Sequence, residues 1–170
     1  MPVSIYAATI PVFRQILECQ SSLVHKAASH ADAKNIPHDK ILRARRAPAD
    51  QSFRAHVRLG TREAVKAVSM LTGQPAQLPR GSAEDFVALA RYVASATQYL
   101  NGIKEDHFVG CENKEFLVRS QSGGETMCDA VEFVFSHTYP VFYYHAVSAH
   151  AILMQHGVSV SKWEFQNPPG

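Results

Sequence analysis

Nine of the 170 residues are histidines. Histidine titrates near neutral pH and is the commonest metal ligand, so a metal centre or an acid–base site is the chemistry this composition offers. The other reactive side chains offer less. Cys19, Cys111 and Cys128 form no CxxC pair and no even disulfide set, and none has a histidine–carboxylate partnership in the sequence. Unpaired cysteines of this kind fit a reducing compartment, so a cytoplasmic protein is expected. A basic run, Lys40 to Arg46, and an aromatic cluster, Tyr139, Phe142, Tyr143 and Tyr144, complete the candidates. The aromatics are expected mainly in the core, with the hydroxyl of Tyr143 or Tyr144 free to meet a ligand.

Bulk properties narrow the function classes. The chain is 46% hydrophobic and 19% charged, a globular balance that argues against disorder. A formal charge of +2 is too small for the broad basic face of a dedicated nucleic-acid binder. A helix-turn-helix in the basic run would be broken by Pro48, so no nucleic-acid partner is expected. The longest apolar run, Val141 to Met154, is about two-thirds of a membrane span and contains His145 and His150. The N-terminus lacks the charged and long apolar regions of a signal peptide, so no membrane association is expected either.

Four helices must position these residues. Tyr6, Phe13, Leu17, Val24 and Ala27 recur on one stripe and predict a helix over Ile5 to Ala33, with Pro11 marking its regular start or a kink. Residues 35–51 carry two prolines and read as a connection with one short helical turn. A second helix runs from Ser52 to Leu71, closed by Gly73. After a proline-bearing connection, a third opens with Ser82 as N-cap and Asp85 three residues on, and ends near Asn101 and Gly102. Phe116 to Val118, followed by a Gly-rich turn, predicts a hairpin excursion. The last helix is expected from Glu125 to His156, kinked at Pro140 and stopped by Gly157, with the Trp163 tail packed back on the bundle. The expectation is a single all-α domain over 1–170, an antiparallel four-helix bundle with a short irregular or hairpin insertion before the last helix.

The last helix carries recognisable text, Phe135 to Val158 (FSHTYPVFYYHAVSAHAILMQHGV). Together with Ala28 to Ala31 (ASHA), Ala44 to Pro48 (ARRAP) and Gly157 to Phe165 (GVSVSKWEF), it resembles a domain-of-unknown-function family of the DinB/YfiT-like bundles, with bacterial and fungal members. The resemblance spans nearly the whole chain and implies an up-down-down-up bundle. It also implies a divalent metal, zinc by expectation, held by three histidines. One lies early in helix two and two are spaced HxxxH in helix four. By position, His56 matches the helix-two ligand and His145 the second helix-four ligand. The first helix-four ligand falls at Val141, which cannot bind a metal.

With that topology, His30, His56 and the second half of helix four share one end of the bundle, so His30 is the candidate third ligand. His137 lies about 12 Å along the helix from His145, too far to share an ion. His150 sits about 140° around the helix on another face, and His25, His38, His107 and His156 read as surface or loop residues. Arg45, within the matching text, lies in the loop above the site, where its guanidinium fork could clamp a carboxylate or enolate.

Three readings follow. The first is a small metalloenzyme, a lyase, isomerase or hydrolase, holding zinc through His56, His145 and His30 and acting on a small-molecule substrate. The fungal members make secondary metabolism its expected setting. The second is a metal-free enzyme with His145 as acid or base and Arg45 as anion clamp. The third is a non-catalytic binding or dimerisation module whose histidines are structural. A homodimer is compatible with each.

Overall fold

The computed structural model describes residues 3–76, 78–119 and 123–167. Helix α1 (Ile5–Ala33) starts where the Ser4 hydroxyl accepts the Ala7 N–H at 3.1 Å, satisfying one of the orphan amides of its first turn. It continues unbroken through Pro11. Ile10, Phe13, Leu17, Val24, Ala27 and Ala31 recur at helical spacing and are all buried. A short α2 (His38–Leu42) turns Ile41 and Leu42 into the same core. Helix α3 (Phe53–Thr72) is capped by Ser52 and ended by Gly73, whose φ of 74° is the left-handed conformation that closes many helices.

Helix α4 (Phe86–Gly102) begins later than the expected Ser82 cap. Asp85 is the N-cap, its carboxylate accepting the Ala88 N–H at 2.7 Å, while the Ser82 hydroxyl bonds Glu84 instead. The expected start of the last helix is also corrected. Residues Glu125–Cys128 are a strand, β2, paired antiparallel with β1 (Phe116–Arg119), with Phe116 opposite Cys128 and Arg119 opposite Glu125. Burial alternates along β1, as a half-buried strand requires, and Asp129 then caps the helical turn α5 (Ala130–Glu132).

Pro140 is accommodated by a widened helix. Between α5 and α6 (Tyr139–Gln155), residues Phe133–Thr138 form π-helical turns, and the Tyr139 N–H reaches back five residues to the Val134 carbonyl. Pro140 therefore falls in the first turn of α6, where a missing N–H costs little.

Contacts along the helices fix the directions. The Tyr139 hydroxyl bonds the Ala8 carbonyl at the start of α1, and His30 near its end lies beside Gly157, so α1 and α6 run parallel. At its start α4 packs Phe86 on His38, with ring centroids 5.0 Å apart, and at its end the Tyr99 hydroxyl bonds the Gln74 carbonyl just past α3. Helices α3 and α4 thus run opposite to α1 and α6, the up-down-down-up bundle. Fully buried Phe13 centres it, edge-on to Phe142 at 5.0 Å and to Tyr139 at 5.9 Å. The tail returns as α7 (Lys162–Gln166) over α1. It docks through Phe165, which lies edge-on to His150 at 5.7 Å, while Trp163 faces outward at 72% exposure. Among the described residues no helix is long and apolar enough to cross a membrane.

Gly60 sets the approach of α3 to its neighbours. A methyl group there would lie 2.8 Å from Gln20 Nε2 and 3.2 Å from His145 Cβ. Gly-to-Ala in a helix interior ordinarily gains about 0.5–1 kcal/mol, but overpacking costs about 1–3 kcal/mol. G60A is therefore expected to be destabilised by about 1 kcal/mol. Thermal unfolding should show a melting temperature about 2–4 °C below wild type; a rise would show that the helices separate freely here.

Candidate active site

Ser52 fixes the first turn of α3, and His56 follows in the next turn, facing α6. The ring of His56 is fully buried. Because Gly60 keeps α3 close, His145 of α6 meets it edge to edge, with Nδ1 to Nδ1 at 2.9 Å, a hydrogen-bond distance. His145 is itself half-buried.

The loop before α3 supplies the second set of contacts. Asp50 presents Oδ1 3.2 Å from His56 Nε2, the ring nitrogen opposite the one that meets His145. That approach is close but is not aligned as a hydrogen bond, since His56 Nε2 has no such partner among the described residues. The carboxylate is held tightly. Arg46 donates from Nε to Oδ2 at 2.6 Å and the Gln51 N–H donates to Oδ1 at 2.8 Å. Arg46 also donates from Nη2 to the Tyr144 hydroxyl at 2.9 Å, and its guanidinium lies 5.3 Å from the Tyr144 ring centroid. The Tyr144 hydroxyl lies 3.4 Å from Asp50 Oδ1, and its ring stands edge-on to both histidines, at 5.8 Å from His56 and 5.4 Å from His145. Tyr144, His145, Pro140 and Val141 line an open depression of about 450 Å³.

The electrostatics follow from these contacts. Arg46 beside Asp50 holds the carboxyl well down, to about 2, assisted by the Gln51 amide and the charge of His56. Burial lowers His56, an effect that the Asp50 carboxylate partly opposes. Burial, then the nearby His56 and Arg62, push His145 down to about 4. Around neutral pH the site holds an ionised Asp50 beside two neutral imidazoles.

Of the residues expected from sequence, His56, His145 and Tyr144 come together. His30 does not join them. It stands ten residues, about 15 Å of helix rise, beyond Gln20, the α1 residue level with Gly60 and His145, and it abuts Gly157 instead. Arg45 is turned into its own loop, donating to the Asp50 carbonyl, and its neighbour Arg46 is the arginine at the site. Asp50 was not among the expected residues either. Its signal lies in the Arg46–Asp50 spacing of four, the separation that pairs opposite charges along a turn.

The donor set does not fit a three-ligand ion. The two Nδ1 atoms converge, but Asp50 approaches the far side of the His56 ring and cannot share an ion with His145. The third position is the aliphatic Val141. Nitrogens on one tetrahedral zinc also stand about 3.4 Å apart, given bonds near 2.1 Å, wider than the 2.9 Å separation here. Among the described residues no group of three or more His, Cys, Asp or Glu side chains is placed to hold a metal.

The family described as a domain of unknown function, DUF1993, matches residues 5–166. The chain belongs to this family. A search of curated proteins returned no match. Among solved structures, the DUF1993 chain is similar to a DinB family member protein from Shewanella denitrificans, at a TM-score of 0.82 and 24% identity, over 97% of this chain and 94% of that one. That likeness shows a shared DinB-like helical bundle.

The pH dependence is expected to follow His145. Its folded-state midpoint, about 4, lies below the ordinary 6.5. Between these values the unfolded chain binds the proton and the folded one does not, so stability rises with pH there. Stability should therefore be complete above about pH 6.5 and fall progressively toward pH 4. Histidine NMR titration checks it: a His145 midpoint near 6.5 would contradict the buried, neutral assignment.

Proposed function

We propose that this DUF1993 protein is a metal-free acid–base enzyme for a small carbonyl-bearing metabolite, an isomerase or lyase, with His145 as the base. The observation that carries the reading is the 2.9 Å contact between the two Nδ1 atoms. It occupies one nitrogen of His145 within the bundle, while Nε2 has no partner among the described residues in a side chain that lines the depression. A base that is neutral at pH 7 because it is buried is ready to accept a proton without first losing one.

Tyr144 supplies the complementary group. Arg46 occupies one lone pair of its oxygen, and the 3.4 Å to Asp50 Oδ1 is long for an O–H donor. A substrate oxygen can therefore recruit that O–H. In the proposed step His145 Nε2 takes a proton from carbon next to a carbonyl. The electron pair moves onto the carbonyl oxygen, where Tyr144 donates. Return of the proton to a different carbon gives isomerisation, and expulsion of a neighbouring group gives elimination.

The metal-bearing reading draws support only from the convergence of two histidine nitrogens, one short of the set that the bundle resemblance implies. Both readings meet one experiment. Protein purified without a nickel column should contain under about a tenth of an equivalent of zinc. It should open 5-nitrobenzisoxazole, a general-base probe, and lose roughly 100-fold of that rate in H145A, the scale of general-base catalysis. The rate should rise with pH through about 4 and then level, as His145 loses its proton. A full equivalent of metal that disappears in H56A, or a rate unchanged in H145A, overturns the proposal.

A further inference from the structure

His56 lies out of reach of any ligand, being fully buried, yet it carries polar neighbours on both ring nitrogens. A neutral imidazole has one N–H and one lone pair, so only one of two arrangements can hold. If the His56 proton sits on Nδ1, the Nε2 lone pair faces the Asp50 carboxylate at 3.2 Å, lone pair against negative charge in a buried setting. If it sits on Nε2, an N–H faces that carboxylate and Nδ1 is left as acceptor. The second arrangement is electrostatically favoured even without ideal hydrogen-bond alignment. The consequence passes to His145. With His56 Nδ1 an acceptor at 2.9 Å, His145 must carry its own proton on Nδ1, which leaves its lone pair on Nε2.

We infer that Asp50 is a positioning residue that acts through His56 to fix the tautomer of His145, placing the basic lone pair on Nε2, and that His56 serves as a proton relay behind it. The inference rests on His145 as the base. Arg46 and the Gln51 amide fix both carboxylate oxygens, so Asp50 keeps its charge and its aim. When His145 takes a substrate proton on Nε2 it becomes a cation with N–H on both nitrogens. Transfer of the Nδ1 proton across the 2.9 Å contact leaves His145 neutral, with N–H on Nε2. His56 is then the cation, with N–H on both nitrogens, 3.2 Å from the Asp50 carboxylate. One proton enters and none is lost; the positive charge moves from the depression to the buried His56 ring, beside a carboxylate able to stabilise it. The reverse transfer returns the proton to His145 Nδ1 and frees the Nε2 proton for product.

The test reads tautomers directly and needs no substrate. In uniformly nitrogen-15-labelled protein at pH 7, long-range proton–nitrogen correlations should show His145 protonated on Nδ1 and His56 protonated on Nε2. In D50N, whose fold is checked by circular dichroism, His145 should shift toward the Nε2–H form that free histidine prefers. Rate on the benzisoxazole probe should fall by more than about 10-fold with the probe's KM unchanged. A wild-type His145 protonated on Nε2 overturns the inference, whether or not D50N folds, and so does a folded D50N with wild-type tautomers. Benzisoxazole activity independent of His145, with the tautomers as expected, would sink the function and leave the tautomer assignment standing.

Discussion

The contact between His56 and His145 is the constraint on which the site depends, and it is a property of the α3–α6 interface before it is a property of chemistry. Two histidines can meet nitrogen to nitrogen at 2.9 Å only if their helices approach closely, and Gly60, one turn beyond His56, provides that approach. The same locality buries a polar pair, with the Thr61 hydroxyl donating to Gln20 Oε1 at 3.0 Å and both residues fully enclosed. Most buried polar groups in a protein core find partners. Here Thr61 pairs with Gln20 and His56 with His145, while Gln20 Nε2 and His56 Nε2 have no hydrogen-bond partner among the described residues.

Helix positions and partners were legible in the sequence to the extent that they follow from local rules. The stripe from Phe13 to Ala27 and the Gly73 stop are read from spacing and backbone preference, and each stands as read; Ser52, read as the first residue of its helix, is its N-cap. The misread boundaries are those decided by competition. Ser82 and Asp85 both suit an N-cap, and Asp85 takes the role while Ser82 pairs with Glu84. Glu125 to Cys128 could extend a helix, but β1 offers ladder partners, which no local rule reveals.

The site divides the same way. His56 and His145 were recognisable because both match, by position, histidines that the bundle resemblance implies. Asp50 and Arg46 lie in a loop with three alanines and one proline, where no periodicity says which side chains turn inward. Two adjacent arginines then exchange roles. Arg45 satisfies a loop carbonyl, and Arg46 spans from Asp50 to Tyr144 on α6. One residue of difference in a loop reverses the direction of a side chain, and only the tertiary contact with Tyr144 decides it.

Val141 shapes the surface beside His145. The residue is one turn from His145 and lines the same depression, so a ligand at that position would face the same space. An aliphatic side chain there, 43% exposed, leaves His145 without a neighbour on its own helix to share an ion and presents apolar surface to whatever enters. His145 takes its partner from across the bundle, and the Asp50 carboxylate lies behind that partner. The pair stands at hydrogen-bond separation, with the Asp50 carboxylate on the far side of the His56 ring.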